Sequence, residues 1–558
     1  MKKKSILYIL FVCVGGGLLA SCDDYLDKLP DNRTDLDSEA KIADLLVSAY
    51  PDTHFAAACE LMSDNTDEEE GQSALSQFQE ELASWRDPTS MEQDCPYFIW
   101  SEYYTSIAAC NNVLKAIEQR GNPPSLSPQR GEALVCRAYL HFILVNLFSM
   151  AYNPQTADTD LGVPYMTQIE TTVNPHYDRG TVAETYRRIE ADLNEGLPLI
   201  DDNAYDVPKY HFNRRAAQAF ACRFWLYYVQ PDKSNYRKVI DYASQVLTDQ
   251  PATMLRDWKT LGTYNMLNDA AQHEFVDVKD NANLLLVSTH SLWQRLHYGN
   301  GLKYGFNIII WNLEMEKPSP WGWLNDGGVL GSALFHYPWM QTNTSRRLIF
   351  PKLCEMFEYA DMMSGEGYPH VIFPVLQTDE ALLSRAEAHI MLKQYQKGLD
   401  DMNLFMQNFS HTRGATTLTR MATLNSVDSI YGDYIEGSEG EPIRGMKYYA
   451  PKSPTEKKRL HPAGFVVEHG LQESMIHCVL HLRRILTLHE GLRWFDIKRY
   501  GMTVYRRQIG GNFSYTPNKD TGEHPGITVT DSMLPDDPRR ALQLPISVIN
   551  AGLTPNPR

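Results

Sequence analysis

The chain has 558 residues, 43% of them apolar and 11% aromatic, the make-up of a globular protein with a large core. Its formal charge is −17, and losing the three lysines within residues 1–21 takes it to −20. So acidic a chain repels nucleic acid and anionic lipid surfaces, which argues against both as partners.

The N-terminus carries its own address. Lys2, Lys3 and Lys4 precede an apolar run from Ile6 to Ala20, about 15 residues, short of the roughly 20 that cross a bilayer as a helix. That is the form of a signal peptide over 1–21. Leu19-Ala20-Ser21-Cys22 has the form of a lipobox, so cleavage leaves Cys22 as an acylated N-terminus. Several acyl chains on one residue hold a protein stably at a membrane. No later segment reads as a membrane span. Seven scattered cysteines remain (Cys59, Cys95, Cys110, Cys136, Cys222, Cys354 and Cys478), odd in number and without CxxC, which speaks against a disulfide framework.

After a tether over 22–34, the chain is expected to be mainly α. In Trp100–Gln119, Trp100, Tyr104, Ile107, Asn111, Leu114 and Ile117 recur at three- and four-residue spacing. Pro123, Pro124 and Pro128 end that helix, and Gln129–Phe148 repeats the pattern. Thr181–Leu199 opens with Thr181 as N-cap and Glu184 three residues on. Arg214–Val229 pairs with Asn235–Thr248, and Asp379–Leu392 with Tyr395–Phe409. Small residues at contact points, among them Ala216, Ala217, Ala386 and Ala388, suggest a tetratricopeptide-like stack of helix pairs. The scaffold is expected over 35–250, with further repeat helices over 377–409. A loop-rich C-terminal region, 410–558, contains a last helix, Gln472–His489.

Between Pro251 and Pro374 the helical period is lost. Six of the ten tryptophans fall there, punctuated by Gly and Pro, so 251–376 reads as a large irregular insertion. Loops on a rigid scaffold are where binding sites gather. A sugar offers an apolar face edged by hydroxyls, which flat rings and short polar groups match with little rotamer entropy to lose. Trp321 and Trp323, two apart, project to one side of an extended stretch, and Gly322 leaves room between them. Asn325 and Asp326 could bond hydroxyls. Trp339 is a further candidate, and Trp100, Trp225 and Trp494 are expected in the core.

Catalytic signatures are absent from the sequence: there is no HExxH, GxSxG, Walker loop or GxGxxG. No cofactor is expected, and the chain is read as a binding protein rather than an enzyme. His477 and His481 stand at i, i+4, a spacing that can hold a metal, but a polar stripe opposite Met475, Val479, Leu482 and Leu486 is the preferred reading. Asp64–Gly71 is acidic but fails the EF-hand spacing, and a solvated loop is expected.

Taken together, the segments resemble the SusD/RagB family of outer-membrane nutrient-binding lipoproteins. The resemblance rests on Cys22 with Asp23-Asp24-Tyr25-Leu26-Asp27, the Tyr104/Ile107/Asn111 helix, Gly131-Glu132-Ala133 with Arg137-Ala138-Tyr139, and Gly162-Val163-Pro164. It continues through Thr181-Val182, Tyr186, Ile189 and Asp192-Leu193, then Ala216-Ala217 with Ala221-Cys222-Arg223, and Asp379 with Ala386-Glu387-Ala388. Glu490-Gly491, Arg493, Asp496 and Arg499, and Leu544-Pro545-Ile546 complete it. Two departures stand out: Leu482 and Leu486 replace a glutamate pair, and the closing Pro-Ile-Pro becomes Pro545-Ile546-Ser547 with a shortened tail.

The resemblance implies a lid over a TonB-dependent transporter barrel of the SusC type, capturing oligosaccharides or, in some members, peptides. It adds Trp85 to the ligand candidates, since ligand sites in the family draw on that loop. It reads Asp23 and Asp24 as an export signal, placing a lipid-anchored protein at the outer-membrane surface. In other gram-negative lineages, aspartate at that place instead favours inner-membrane retention. An anchored scaffold for protein partners is the alternative from a different class.

Overall fold

Short polar side chains start several of the helices. Thr181 accepts the N–H of Glu184 at 3.1 Å, and Asn213 accepts that of Ala216 at 2.9 Å. Only half of the expected box forms at Thr181, because the Glu184 carboxylate turns to Arg188 at 2.6 Å. The computed structural model describes residues 36 and 38–558, except 171–175, 265–268, 299–300, 317–318, 323–339, 342–345, 351, 410–419 and 439–441. The expected signal peptide, Cys22 and the tether lie outside the described residues.

Helices α1 (Glu39–Leu46), α2 (Ala56–Met62) and α3 (Gln77–Ala83) lead into the long α4 (Pro96–Gln119) and α5 (Ser127–Phe148). Then come α6 (Val182–Gly196), α7 (Arg214–Tyr227), α8 (Ser234–Leu247), α9 (Thr378–Met391) and α10 (Tyr395–Phe409). The C-terminal region supplies α11 (Leu424–Tyr431), α12 (Leu471–Leu486) and α13 (Leu492–Arg499). The fold is mainly α, as the periodicity predicts. Packing runs α4–α5–α6, then α7–α8–α9–α10, with α12 against α9 and α11. Close approach is built into the sequence. A Cβ on Gly131 of α5 would stand 2.8 Å from the carbonyl oxygen of Gly196 on α6, and the reverse pair is equally tight. By length and composition residues 124–148 could cross a membrane, but their apolar stretch, 131–148, is wholly buried in the protein and is a core helix.

The described residues of the expected insertion include a sheet. Strand β2 (Asn283–His290) pairs antiparallel with β5 (Glu366–Gln377), which pairs with β4 (Met356–Asp361). Nearly all of β2 is buried on both faces, so it reads as a continuous apolar run without the period-2 alternation that marks a half-exposed strand. A second sheet has the order β7 (Ile527–Met533), β6 (Val504–Ile509), β1 (Asp67–Glu69), β3 (Tyr304–Gly305), with β1 and β6 parallel. It ties the N-terminal region, the insertion and the C-terminal region together.

That junction corrects the expected solvated acidic loop. Asp64 and Asp67 are buried, and cations remote in sequence neutralise them. Asp64 takes Arg493 at 2.8 and 2.9 Å and Lys458 at 2.9 Å, and Asp67 takes Arg507 at 2.9 and 3.1 Å. Glu314 binds Arg484 at 2.9 Å and Arg507 at 2.7 Å, while Glu456 binds Arg484 at 2.5 Å. Burial pushes the Glu314 carboxyl up, but Lys458, Arg507 and Arg484 outweigh it and hold it at about 2.

The histidines are also buried rather than forming a polar stripe. His481 bonds the Tyr431 hydroxyl at 2.8 Å through Nδ1 and the Met315 carbonyl at 2.9 Å through Nε2, and burial lowers its pKa to about 4. All seven cysteines after Cys22 are buried and free. Trp100, Trp225 and Trp494 are buried, as expected.

Candidate ligand-binding groove

Along α4, Trp100, Tyr104, Ile107, Ala108 and Asn111 form one stripe, in which Tyr104 is half-buried and Ala108 exposed while Trp100, Ile107 and Asn111 are buried. It makes one wall of a groove of about 840 Å³. The loop after Gly162-Val163-Pro164 supplies the second wall through Met166, Gln168, Glu170 and Tyr177. The C-terminal turn around Ser547, Val548 and Leu553 supplies the third. A few hundred to a thousand cubic ångströms is the range of small-molecule sites.

Each wall is held by specific bonds. Tyr104 donates its hydroxyl to the Pro164 carbonyl at 2.8 Å, and Asn111 Nδ2 donates to the Met166 carbonyl at 3.1 Å. The Met166 N–H donates to His141 Nε2 at 3.1 Å, and His141 Nδ1 lies 2.8 Å from the Arg137 carbonyl. Those partners require the neutral Nδ1–H tautomer, and burial lowers the His141 pKa to about 3 in agreement. Tyr165 stacks on His141 with centroids 3.8 Å apart and donates to Asp192 at 2.5 Å. Asp192 also takes a bidentate Arg137, both bonds at 2.7 Å.

Arg179 fastens the third wall. Its guanidinium donates to the carbonyls of Gly162, Phe148 and Thr554 and to Asn556 Oδ1, all between 2.8 and 3.0 Å. Sequence reasoning assigns it no role, because its acceptors are mostly main-chain oxygens scattered from 148 to 554. Gly162 is needed beside it: a Cβ there would stand 2.5 Å from the Thr181 carbonyl oxygen.

The groove offers rings and hydrogen-bonding edges together. Trp100 and Tyr104 have centroids 4.8 Å apart. Across from them, Tyr177 is half-buried and donates its hydroxyl to Glu170. The Gln168 and Ser547 side chains are exposed and make no hydrogen bond among the described residues.

The aromatic candidates in the insertion fare differently. Trp321 is fully buried, its indole N–H donating to Asn403 on α10 at 2.7 Å, so it plugs the insertion onto the scaffold. Trp85 is 5% exposed, donates to the Met62 carbonyl at 2.8 Å and lies under the Arg506 guanidinium. Neither presents a ring to solvent, because each meets an apolar pocket and an acceptor that the linear sequence does not show. Trp323, Asn325, Asp326 and Trp339 lie outside the described residues. Among the described residues, no group of three or more His, Cys, Asp or Glu is arranged to hold a metal. Burial raises the carboxyls of Asp94 and Asp379 to about 6, yet neither lines the groove. Asp94 accepts from Ser291 and Leu292, and Asp379 from Trp258 and Arg256.

Residues 24–226 match the family model described as SusD-like, starch-binding associating with outer membrane. No curated protein matches the chain. Among solved structures, a SusD superfamily protein from Bacteroides thetaiotaomicron is 16% identical, with 93% of this chain and 98% of that one covered and a TM-score of 0.55. A SusD-like carbohydrate binding protein from Bacteroides vulgatus is 15% identical, with 92% and 96% covered and a TM-score of 0.57. A laminarin binding SusD-like protein is 15% identical, with 93% and 99% covered and a TM-score of 0.50. The N-terminal part of the chain is thus similar to the SusD-like family model, and the fold is similar to that of SusD superfamily structures over nine-tenths of the chain's length.

Proposed function

We propose that the protein captures oligosaccharide at the outer membrane, as a lipoprotein anchored through Cys22, and passes it to a SusC-like TonB-dependent transporter. The groove between α4, the 164–177 loop and the C-terminal turn carries this reading. It joins aromatic faces to uncommitted hydrogen-bonding edges, the pairing a sugar surface asks for. The description of the matched family and the laminarin-binding relative support a glycan as the ligand. The reading makes the protein a binder without catalysis. Trp323, with Asn325, Asp326 and Trp339, is proposed as a second arm of contact.

Calorimetry with laminari-, malto- and cello-oligosaccharides tests the reading on wild type, Tyr177→Ala with Gln168→Ala, and Trp323→Ala. Loss of an anchor aromatic typically costs about 1–2 kcal/mol or more, so the groove pair should weaken binding roughly tenfold or more. A protein that binds none of the sugars but binds peptides would move the function to peptide capture.

A further inference from the structure

The groove has a charge signature of its own. Among its described lining residues Glu170 is the one charged side chain. Three arginines that hold its walls are committed elsewhere. Arg137 is bidentate on Asp192 and Arg179 spans four acceptors. Arg188 serves Glu184 at 2.6 Å and the Tyr165 carbonyl at 3.2 Å. A carboxylate or sulfate brought against Trp100 and Tyr104 would therefore shed water without gaining a counter-charge, and would face the Glu170 carboxylate. The chain's charge of −17 opposes its approach as well. A neutral sugar meets no such penalty, and its hydroxyls can donate to Glu170. An amino sugar would add an ammonium that Glu170 matches.

We propose that Glu170, together with the lack of a cation among the described lining residues, makes the groove selective for neutral and amino sugars against uronate-bearing or sulfated ones. The inference rests on the groove being the glycan site. Glu170 is exposed and tied to Tyr177 alone, so replacing it leaves the fold unburdened.

The test compares hexamers of equal length by calorimetry: a neutral glucan, a chitosan oligomer and an oligogalacturonate, each with wild type, Glu170→Lys and Tyr177→Ala. Wild type should bind the uronate at least about tenfold more weakly than the glucan, a gap of 1.4 kcal/mol. That gap should shrink in about 0.5 M salt, where the screening length is only a few ångströms. Glu170→Lys should narrow it further and weaken the chitosan oligomer. If the glucan binds through the groove and the uronate binds as tightly, the selectivity is wrong while the site stands. The selectivity is equally wrong if Glu170→Lys leaves the preference unchanged. If Tyr177→Ala does not alter glucan binding, or no hexamer binds, the groove is not the site and both readings fall.

Discussion

Arg484 lies 420 residues from Asp64 in the chain, yet its Nη2 donates to the Asp64 carbonyl oxygen at 2.8 Å. Its Nη1 meets Glu314 at 2.9 Å and Glu456 at 2.5 Å, and its Nε meets Asn65 at 2.9 Å. One fully buried side chain on α12 thus joins the N-terminal region, the insertion and the C-terminal region. Buried pairs gain little over apolar packing, but removing one partner strands the other charges.

Arg484→Met should accordingly destabilise the protein by about 3–5 kcal/mol, leaving Glu314 and Glu456 short of a counter-ion. Chemical denaturation with a single-probe midpoint measures it. A variant within about 0.5 kcal/mol of wild type would show that the cluster is not a structural junction.

Acid should act on the same cluster. The folded pKa of Glu314 is depressed from 4.5 to about 2, so its contribution is present above the unfolded value and is lost as pH falls through the folded one. Asp64 is held well below its ordinary value despite burial, by Arg484, Arg493 and Lys458, and acts in the same direction. Stability should fall steadily between about pH 4.5 and 2, and Glu314→Gln should flatten that slope while costing stability at neutral pH. Thermal unfolding across that window reads the slope, and identical slopes in both proteins would contradict the assignment.

Trp321→Ala separates packing from recognition. A fully buried tryptophan with a bonded indole should cost about 3–5 kcal/mol when truncated. Thermal unfolding and glycan titration run on one preparation should show a lowered melting temperature, with undiminished affinity in the fraction still folded. Unchanged stability with lost binding would restore Trp321 as a ligand contact.

Helix pairs and their boundaries were legible in the sequence because three- and four-residue apolar spacing is local. Tyr395–Phe409 is found as predicted, and α7, α8, α9 and α12 begin within a residue of expectation. The groove was half legible. The Trp100–Asn111 stripe was visible as a helix face, but its opposite walls depend on Arg179 gathering oxygens from distant segments. The acidic run at 64–71 reads as solvated because the cations that neutralise it lie far along the chain: Lys458, Arg493 and Arg507 for Asp64 and Asp67, Lys303 and Arg346 for Glu68 and Glu69. Tryptophans in a Gly- and Pro-rich stretch suggested exposure. At Trp321 and Trp85 burial won, since each indole finds an acceptor inside the fold.

The anchor has its own test. Cys22→Ala should prevent acylation and release the protein from the membrane fraction, because the proposed anchor rests on acyl chains at that one residue. Labelled palmitate incorporation and fractionation are the measurements. A Cys22→Ala protein that still carries label and pellets with membrane would contradict the lipoprotein reading.

The most direct measurement of the central claim is a crystal structure of the mature protein soaked with a neutral oligosaccharide. Sugar density should lie in the groove, with a pyranose face on Tyr104 or Tyr177 and hydroxyls within hydrogen-bond reach of Gln168, Glu170 or Ser547. Density that leaves the groove empty and sits only elsewhere on the molecule would contradict the account.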